Sequence, residues 1–504
     1  MLDFIQNFPL FCIIMTLLSG VLCSVLSARA ARNCCLMVVS ADGVLNAAVL
    51  VYTIRMGDSF TYMMGHFPAP WGNEIRVGVL EAMLAMVFSI VMLLSLLGGM
   101  KHIFEDVEST KVNLYFLMMN LLFVSMLCLI YTNDLFTGYV FVEINTIAAC
   151  AIVMARKGNQ TLVATMRYLC LSLLGSGMFL MGICILYDIT GHLLMVSLHG
   201  TIEQLASSGQ YAQPLEVVIV LFCVGLATKS ALFPFHSWLP DAHGSSTSAS
   251  SAILSGLVLK GYIILLIKIV YRVLGTDVFN SSKAINVLFF FGCCAMIVGS
   301  LHAMTEKDLK RMIAYSSVAQ IGYIYMAIGL GSTTGMIAAV FQILAHAFTK
   351  PMLFDAAGGF MEVSGGSRKF SRLRGAGRRN GLAGIAFVVG ALSMIGIPMF
   401  AGFITKYYLA AAAIQSGTKK LIIGLMVLAV STLLNVMYYV PAIMVLFSRA
   451  GGNAQEGDKF TLICDKKNVS FVIAMAVFIA ANLFLGCCSG TVIRLIQSGL
   501  NMLA

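Results

Sequence analysis

The chain has few charged residues. Asp, Glu, Lys and Arg together make up 11% of its 504 residues, whereas 59% are hydrophobic. Soluble domains carry about 25% charged residues, so the composition excludes a soluble globular protein. The mean hydropathy of +0.92 indicates a polytopic membrane protein. Apolar runs of about 20 residues, the length that crosses a bilayer, recur along the whole chain and leave no room for a long soluble domain.

The sequence also lacks the motifs that hold metals, nucleotides or redox groups. None of its 14 cysteines has the CxxC or Cys/His spacing of an iron–sulfur or zinc site. No glycine-rich phosphate loop, flavin or nicotinamide fingerprint or haem-ligand pair stands out. We therefore expect no cofactor and no metal, and we interpret the cysteines as small packing residues. Whether the chain belongs to an enzyme stays open, because it shows no redox centre and no nucleophile of its own.

The apolar runs predict an all-α polytopic membrane protein with about fourteen transmembrane helices, which we number span 1 to span 14. The N-terminal sequence MLDFIQNFPLF lacks the basic region of a cleaved signal peptide, so we expect span 1 to be retained. The spans cover roughly 8–27, 34–54, 76–98, 113–132, 134–154, 166–188, 215–235, 249–271, 284–304, 311–331, 333–361, 381–412, 419–447 and 469–488.

Lysine and arginine gather in alternate loops, at 29–32, 156–157, 307–311 and most densely at 368–379. By the positive-inside rule the basic side is cytoplasmic. Both termini are then expected on the outer side of a prokaryotic cell membrane. Nucleic-acid binding is the rival interpretation of the basic run, but membrane topology explains it, and we expect no nucleic-acid partner.

Five ionisable side chains lie deep inside apolar segments: Glu143, Lys229, Lys260, His346 and Lys406. A charge at mid-bilayer costs about 2.5–3.5 kcal/mol on insertion scales, so a chain that keeps five needs them for something. We interpret them as stations on a proton path. A carboxylate near a buried lysine favours its charged form, so the distance between Glu143 and Lys229 would set the loading and release of a proton.

Four of these five residues have a structural alternative. Glu143 and Lys229 could form a static ion pair, Lys260 could extend to an interface, and His346 could be a hydrogen-bonded packing residue. Lys350, one turn after His346, could share its relay role. We read Lys406 as the terminal station of the path.

Further ionisable residues are secondary candidates. His236, Asp241 and His243 follow span 7 closely, and we interpret them as a hydrogen-bonded gate; a metal site is the alternative, although the spacing is not that of zinc ligands. Asp355 has no assigned role, and a pairing with Lys350 is one interpretation. We expect Glu81 and Lys268 to lie at membrane interfaces.

Helix breakers fall inside two of the charged spans. Span 7 is interrupted by Pro234, with Pro240 following closely, and span 12 contains Gly396 and Pro398; we expect an interruption at Pro351 in span 11 too. Interrupted segments in corresponding positions of two halves are typical of inverted-repeat transporters, with the site at the breaks. A break also frees backbone groups that water or side chains must satisfy.

Four motifs occur in order along the chain: TKSALFPFHSWLPDAHGSSTSASSAILSGLVLKGY, KDLKRMIAYSSVAQIGYI, AHAFTKPMLF and IPMFAGFITKYYL. From about residue 60 to 445 the sequence resembles the antiporter-like subunits shared by respiratory complex I, Mrp cation/proton antiporters and membrane-bound hydrogenases. The resemblance implies fourteen helices, with spans 4–8 and 9–13 as inverted repeats. The expected units are therefore 1–112 (spans 1–3), 113–271 (first repeat), 284–447 (second repeat) and 448–504 (span 14).

The resemblance also implies residue roles. Glu143, Lys229, Lys260, His346 and Lys406 match the glutamate of span 5, the lysine of span 7, the lysine or histidine of span 8, the histidine or lysine of span 11 and the lysine or glutamate of span 12. The segment GHFPAPWGNEIRVGVLEAMLA is similar to Mrp D-type and hydrogenase subunits. Three features depart from the pattern: GSSTSASSA where APSPISA is usual, IGIPMF where a PPL-like run is usual, and an acid at 355 where an apolar residue is usual.

Three functions follow from these observations. The first is a proton-translocating D-type subunit of a multisubunit Mrp Na⁺/H⁺ antiporter, with other membrane subunits, H⁺, possible Na⁺ and lipid as partners. The second is a proton- or sodium-pumping subunit of a redox-driven complex, either a membrane-bound hydrogenase or a complex I-like oxidoreductase. The third is a structural membrane scaffold in which the buried charges form static pairs.

Overall fold

The computed structural model describes residues 2–67, 72–449, 460–462 and 468–503. The described part is almost entirely helical. The α-helices, in chain order, are α1 Leu2–Ile5, α2 Phe8–Val25, α3 Ala28–Met56, α4 Val79–Asp106, α5 Val112–Tyr131, α6 Leu135–Met154, α7 Asn159–Thr190, α8 Met195–Ser208, α9 Ala212–Lys229, α10 Trp238–Ser245, α11 Ser248–Ile253, α12 Leu259–Ile269, α13 Thr276–Ser281, α14 Ala284–Thr305, α15 Leu309–Gly329, α16 Thr333–Glu362, α17 Ala376–Arg379, α18 Gly381–Ile395, α19 Ala401–Gln415, α20 Thr418–Phe447, α21 Val469–Cys487 and α22 Ser489–Leu503.

Thirteen helical segments of the described residues are long and apolar enough to cross a membrane. The fourteenth predicted crossing, span 12, consists of the two shorter helices α18 and α19. The prediction of an all-α polytopic membrane protein with about fourteen crossings is therefore confirmed. Spans 8 and 11 are 100% buried over their most apolar windows, whereas span 1 is 39% buried and span 13 is 28% buried. Spans 8 and 11 thus form the centre of the molecule.

Two of the charged spans are broken where predicted. In span 7, α9 ends at Lys229, the chain passes Ala231 with a positive φ of 60°, and the 3-10 turn Phe235–Ser237 leads into α10. In span 12, α18 ends at Ile395 and Gly396 takes a left-handed φ of 90°. Both breaks leave helix-end carbonyl groups inside the protein, where they need donors.

Spans 8 and 11 are continuous, and the expected interruption at Pro351 is wrong. α16 runs through Pro351 without a break. Span 8 joins α11 and α12 through a π turn, Leu254–Val258. Gly256 of this turn faces Pro351: a Cβ atom at Gly256 would lie 3.2 Å from Pro351 Cδ and 3.5 Å from the carbonyl oxygen of Ala347. That carbonyl is the acceptor that the ring of Pro351 cannot serve, and close packing of the two helices surrounds it.

Several short elements outside the predicted spans were not predicted, including the three that follow. An antiparallel hairpin of β1 (Phe60–Met63) and β2 (Glu74–Val77) precedes α4. The short helix α8 connects spans 6 and 7. α22 follows span 14 and buries a stripe at helical spacing, from Val492 to Leu503, with Gly499 close against the backbone of Leu80 in α4. These segments are too short or too amphipathic to register as long apolar runs.

Two glycines hold α9 against α7 one turn before Lys229. A Cβ atom at Gly225 would lie 2.7 Å from the carbonyl oxygen of Gly175, and one at Gly175 would lie 2.8 Å from that of Gly225. The two backbones therefore touch, as small residues allow in membrane helices. This contact fixes the position at which Lys229 leaves α9.

A side chain at Gly225 is expected to push the two helices apart. Forcing extra volume into a packed interior costs about 1–3 kcal/mol, so Gly225→Val should lower the thermal midpoint of the purified protein. Gly177 lies in the same region of α7 with no atom within 4 Å of its Cβ position, and Gly177→Val is the matched control. Equal midpoints for the two variants would show that α7 and α9 separate without cost.

Candidate functional site

The structure brings together the predicted pair Glu143 and Lys229. Lys229 Nζ lies 3.6 Å from Glu143 Oε1, and it donates a 2.6 Å hydrogen bond to Thr146 Oγ1. The lysine side chain is 1% exposed and the glutamate 22% exposed. One member of the pair is thus sealed inside the protein, while the other reaches the edge of the helix bundle.

Polar side chains continue from this pair toward span 8. Thr146 Oγ1 lies 3.4 Å from the hydroxyl of Tyr262, which donates to Asn145 Oδ1 at 3.0 Å. Lys229 Nζ also lies 5.5 Å from the centre of the Tyr262 ring, within range of a cation–π contact. Tyr262 belongs to α12, two residues beyond Lys260. The first station is therefore connected to the helix that carries the second.

Lys260 is fully buried, which excludes an extension to the interface. Its Nζ donates to the carbonyl oxygen of Ser255, inside the π turn. Ser255 Oγ shares a 3.0 Å hydrogen bond with Ser317 Oγ of α15. Among the described residues no carboxylate forms an ion pair with Lys260. Its amine is held by a backbone carbonyl oxygen, which is a weaker partner than a carboxylate.

His346 and Lys350 lie on successive turns of α16, and both are fully buried. Neither ring nitrogen of His346 has a hydrogen-bond partner in the described part of the chain. Lys260, Lys350 and His243 lie near enough to His346 to act on it electrostatically. Like charges repel strongly at low dielectric, so a proton on one of these groups disfavours a proton on the next.

A line of hydroxyl and amide groups on α15 and α20 leads on from Lys350. Lys350 Nζ donates to Ser316 Oγ and, at 3.0 Å, to the carbonyl oxygen of Ile313. Ser316 Oγ shares a 2.8 Å hydrogen bond with the hydroxyl of Tyr439. Farther along, Asn435 accepts a 2.7 Å bond from Tyr438 and lies 3.4 Å from the hydroxyl of Tyr323. The sequence signal for this line is a run of polar side chains in an apolar helix, and sequence analysis missed it.

Lys406 fills the break of span 12. Its Nζ donates to the carbonyl oxygen of Ile395, the last residue of α18, at 2.5 Å and to Thr432 Oγ1 of α20 at 3.0 Å. The amine also lies 5.5 Å from the centre of the Tyr323 ring. Gly396 is required here, because a Cβ atom would lie 2.7 Å from Lys406 Cδ. Lys406 thus satisfies a carbonyl group that the break leaves without its helical partner. We call Lys229, Lys260, His346, Lys350 and Lys406 the central row.

The three residues after span 7 do not form one cluster. Asp241 binds Arg167 and Arg311, each with an N–O distance of 2.7 Å. His243 points the other way and is fully buried, with its ring stacked on Phe354 at a centroid distance of 4.6 Å. His236 lies beside His302, with ring centroids 6.3 Å apart. The three residues therefore do not share one hydrogen-bond network, because His236 lies in the 3-10 turn before α10 and Asp241 and His243 make contacts on different sides of α10. A gating role for them stays a prediction.

Asp355 does not pair with Lys350. Positions five residues apart on an α-helix differ by about 140° in direction, and Lys350 is bound to Ser316 and Ile313 on the other side. Both carboxylate oxygens of Asp355 are buried and have no hydrogen-bond partner among the residues that the structure describes.

Two lysines that the sequence analysis placed at an interface or in a loop are buried inside the protein. Lys268 is 1% exposed and donates to the carbonyl oxygens of Ile130 and Thr132 at 2.6 Å each, so the expectation of an interfacial anchor is wrong. Lys310 is also 1% exposed and donates to the carbonyl oxygen of Ser246 at 2.8 Å. Sequence analysis placed it with the basic loop residues. Glu81 accepts a bond from the amide of Gly78 and caps α4.

Fold and site together define a class: polytopic membrane proteins that keep a row of ionisable groups between two broken helices. The family model described as NADH:quinone oxidoreductase/Mrp antiporter, transmembrane, matches residues 132–434. This match covers more than half of the chain. The chain belongs to that family, and the resemblance seen in the sequence is confirmed.

Individual relatives agree with this assignment. The chain is 33% identical over 395 residues to the N subunit of the NADH-quinone oxidoreductase of Desulforudis audaxviator, covering 78% of this chain and 76% of the relative. It is 27% identical over 373 residues to the D subunit of the Na⁺/H⁺ antiporter of Alkalihalophilus pseudofirmus, covering 73% and 72%. The chain is an antiporter-like membrane subunit of the Mrp and complex I-like kind.

The fold is also that of a solved structure. Superposition on a chain of the membrane-bound sulfane sulfur reductase, an archaeal respiratory membrane complex, gives a TM-score of 0.86 at 23% identity. The alignment covers 100% of this chain and 97% of the other. At this identity the likeness supports the architecture and nothing finer.

Proposed function

We propose that the chain is the D-type subunit of an Mrp-type Na⁺/H⁺ antiporter and carries protons along the central row. It would act inside a multisubunit complex of a prokaryotic cell membrane, with both termini on the outer side. The identity with the D subunit of the A. pseudofirmus antiporter supports this assignment, as does the similarity of the GHFPAPWGNEIRVGVLEAMLA segment to Mrp D-type subunits.

The observation that carries the proposal is the shortage of carboxylates around the central row. Among the described residues of this row, only Lys229 forms an ion pair, with Glu143. The other amines bind hydroxyl and backbone carbonyl oxygens. A scaffold built on static pairs would need a carboxylate for each cation, because an unpaired buried charge is strongly destabilising. Groups held by neutral oxygens can instead gain and lose a proton.

The proposed mechanism begins at the Glu143–Lys229 pair. Shortening the distance between the carboxylate and the amine favours the protonated lysine, and lengthening it favours release. The proton would then pass to Lys260 and His346, with Lys350 as a further relay, and reach Lys406. Repulsion between neighbouring cations makes each transfer depend on whether the next station is empty.

We also propose that 113–271 and 284–447 are the two inverted repeats, with 1–112 and 448–504 flanking them. The two breaks support this arrangement: α9 ends at its lysine, and α19 begins shortly before its own. In both places a lysine lies beside the helix interruption.

A second candidate is a pump subunit of a redox-driven complex, and the 33% identity with the N subunit of an NADH-quinone oxidoreductase favours it. The energy source distinguishes the antiporter function from the redox-driven function. The antiporter function predicts proton movement driven by a sodium gradient in proteoliposomes of the intact complex. Movement that needs an electron donor and ignores sodium would favour the redox function.

Lys260→Ala is expected to lower proton flux through the intact complex by about tenfold. The effect is smaller than the ~10²-fold typical of losing one proton-transfer group, because His346 and Lys350 lie close to Lys260 and replace it in part. Lys157→Ala, in the exposed loop after α6, is the control and should keep the flux of the unmodified complex. Unchanged flux in both variants would favour the scaffold function.

A further inference from the structure

Asp355 is a buried acid that does not belong to the central row. It is 1% exposed, and neither carboxylate oxygen has a hydrogen-bond partner in the described part of the chain. Gly98 of α4 faces it so closely that a Cβ atom there would lie 2.9 Å from Asp355 Cγ. The chain therefore keeps an acid in its core and leaves space for it on the opposing helix.

Further polar atoms lie one turn along α4 and α16 from Gly98 and Asp355. Gly358 lies on the same face of α16 as Asp355, and a Cβ atom there would lie 2.7 Å from Ser248 Oγ and 2.9 Å from His102 Nε2. Ser248 Oγ is buried and has no hydrogen-bond partner among the described residues. Ser248 belongs to the GSSTSASSA segment. Two departures from the family pattern, the serine-rich segment and the acid at 355, thus meet in space.

His102 connects this place with the basic face of the protein. Its Nδ1 lies 3.8 Å from Glu105 Oε2, and Glu105 is 56% exposed. α4 ends one residue later at Asp106, which is 3.5 Å from Arg156 of a basic loop. The His102 imidazole therefore lies between the exposed carboxylate of Glu105 and the buried cluster formed by Asp355 and Ser248.

On its inner side the cluster borders the central row. The ionisable groups within electrostatic range of Asp355 include Lys310 of α15 and Tyr115 of α5. His243 is in turn within range of Lys310, Lys350 and Lys260. Both ring nitrogens of His243 are buried and have no partner in the described structure. His243 stacks on Phe354, the neighbour of Asp355 in sequence, and Lys310 is within electrostatic range of both His243 and Asp355.

We propose that Asp355 and His102 form a proton connection between the basic face and the central row, entering it through His243. The proposal rests on the function proposed above. In the first step a proton leaves the N–H of the His102 imidazolium and binds a carboxylate oxygen of Asp355, leaving a neutral imidazole and a neutral carboxyl group. In the second step the proton leaves that carboxyl group and binds a ring nitrogen of neutral His243, which restores the carboxylate of Asp355. Ser248 supplies a hydroxyl that donates to the carboxylate or accepts from the imidazolium.

The groups around Asp355 suit a proton better than a metal cation. Hard cations need several oxygen ligands, whereas His102 and Lys310 bring nitrogen donors. A proton needs only an acceptor and a donor at hydrogen-bond distance.

The test is proton flux in proteoliposomes of the intact complex at several pH values, for Asp355→Asn, Asp355→Glu and two glycine variants. Asp355→Asn should lower flux at least about fivefold, a part of the typical effect of a proton-transfer group, and Asp355→Glu should restore most of it. Gly358→Ala inserts a methyl group between Ser248 and His102 and should lower flux similarly. Gly359→Ala is the matched control, since its Cβ atom would lie 2.9 Å from Asn380 and 3.1 Å from Ala383, away from the cluster.

Each alternative result overturns the proposal. Equal flux for Gly358→Ala and Gly359→Ala would do so, as would full flux in Asp355→Asn. A loss in Asp355→Asn that excess sodium reverses would identify a cation site instead. If Lys229→Ala blocks flux while Asp355→Asn does not, only this inference fails; if Lys229→Ala also leaves flux intact, the proposed function fails with it.

Discussion

Proton flux through the intact complex is expected to fall about a hundredfold when Lys229 is replaced by alanine. Loss of a positioned proton-transfer group typically costs 10²–10⁴-fold. Lys229 is a single station: its amine is held by Glu143 at 3.6 Å and Thr146 at 2.6 Å, and the next lysine of the central row lies on another helix. The measurement is pH-gradient-driven dye response in proteoliposomes of matched protein content.

Lys268 provides the control for this experiment. It too is a buried lysine, but it donates to the carbonyl oxygens of Ile130 and Thr132 and lies outside the central row. Lys268→Ala should lower thermal stability, because two carbonyl groups lose their donor, and keep the flux per assembled complex. Lys229→Ala should instead lose flux per assembled complex. The same loss of flux in both variants would mean that removing any buried lysine disables the protein, and the central row would have no special role.

The fold was predictable because its signal is strong. An apolar run of about 20 residues has few alternatives to a membrane helix, and prolines and glycines marked both real breaks. Pro351 shows the limit of that signal. A proline in a helix interior removes one amide donor and usually kinks or breaks the helix, yet α16 continues through Pro351, with Gly256 of span 8 packed against the ring. This contact comes from a residue almost a hundred positions away in sequence.

The candidate stations were predictable because a charge inside an apolar run is conspicuous. Lys310 and Lys268 lie near the ends of such runs, where a lysine usually reaches the interface, and only the packing shows that they are buried. The failed pairing of Asp355 with Lys350 has a different origin. Helix periodicity alone places the two side chains about 140° apart, so the sequence contained the reason.

The partners of each station were beyond sequence reasoning, with the exception of Glu143. Tyr262, Ser316 and Tyr439 contribute through contacts between helices that are far apart in the chain. Hydroxyl side chains are common in membrane helices and often bond to their own backbone, as Thr146 does to Val142. Only the arrangement of the helices distinguishes the hydroxyl side chains that border the central row from the others.

Replacing Lys406 by methionine is expected to lower proton flux by about a hundredfold, as at Lys229. Lys406 is alone at its break, whereas Lys260, His346 and Lys350 lie close enough to replace one another in part. Methionine keeps most of the apolar stem beside Gly396 and removes the amine. The assay is the same flux measurement on complexes whose subunit composition has been checked.

Lys420 is a close structural match for Lys406 outside the central row. Its Nζ donates to the helix-end carbonyl oxygen of Gly329 at 2.8 Å and lies 5.7 Å from the centre of the Phe289 ring. Both lysines thus combine a carbonyl group at the end of a helix with an aromatic ring, and Lys420→Met removes the same contacts. Flux should survive in Lys420→Met and fall in Lys406→Met. If the two variants lose flux equally, Lys406 only completes a broken helix, and the path must end elsewhere.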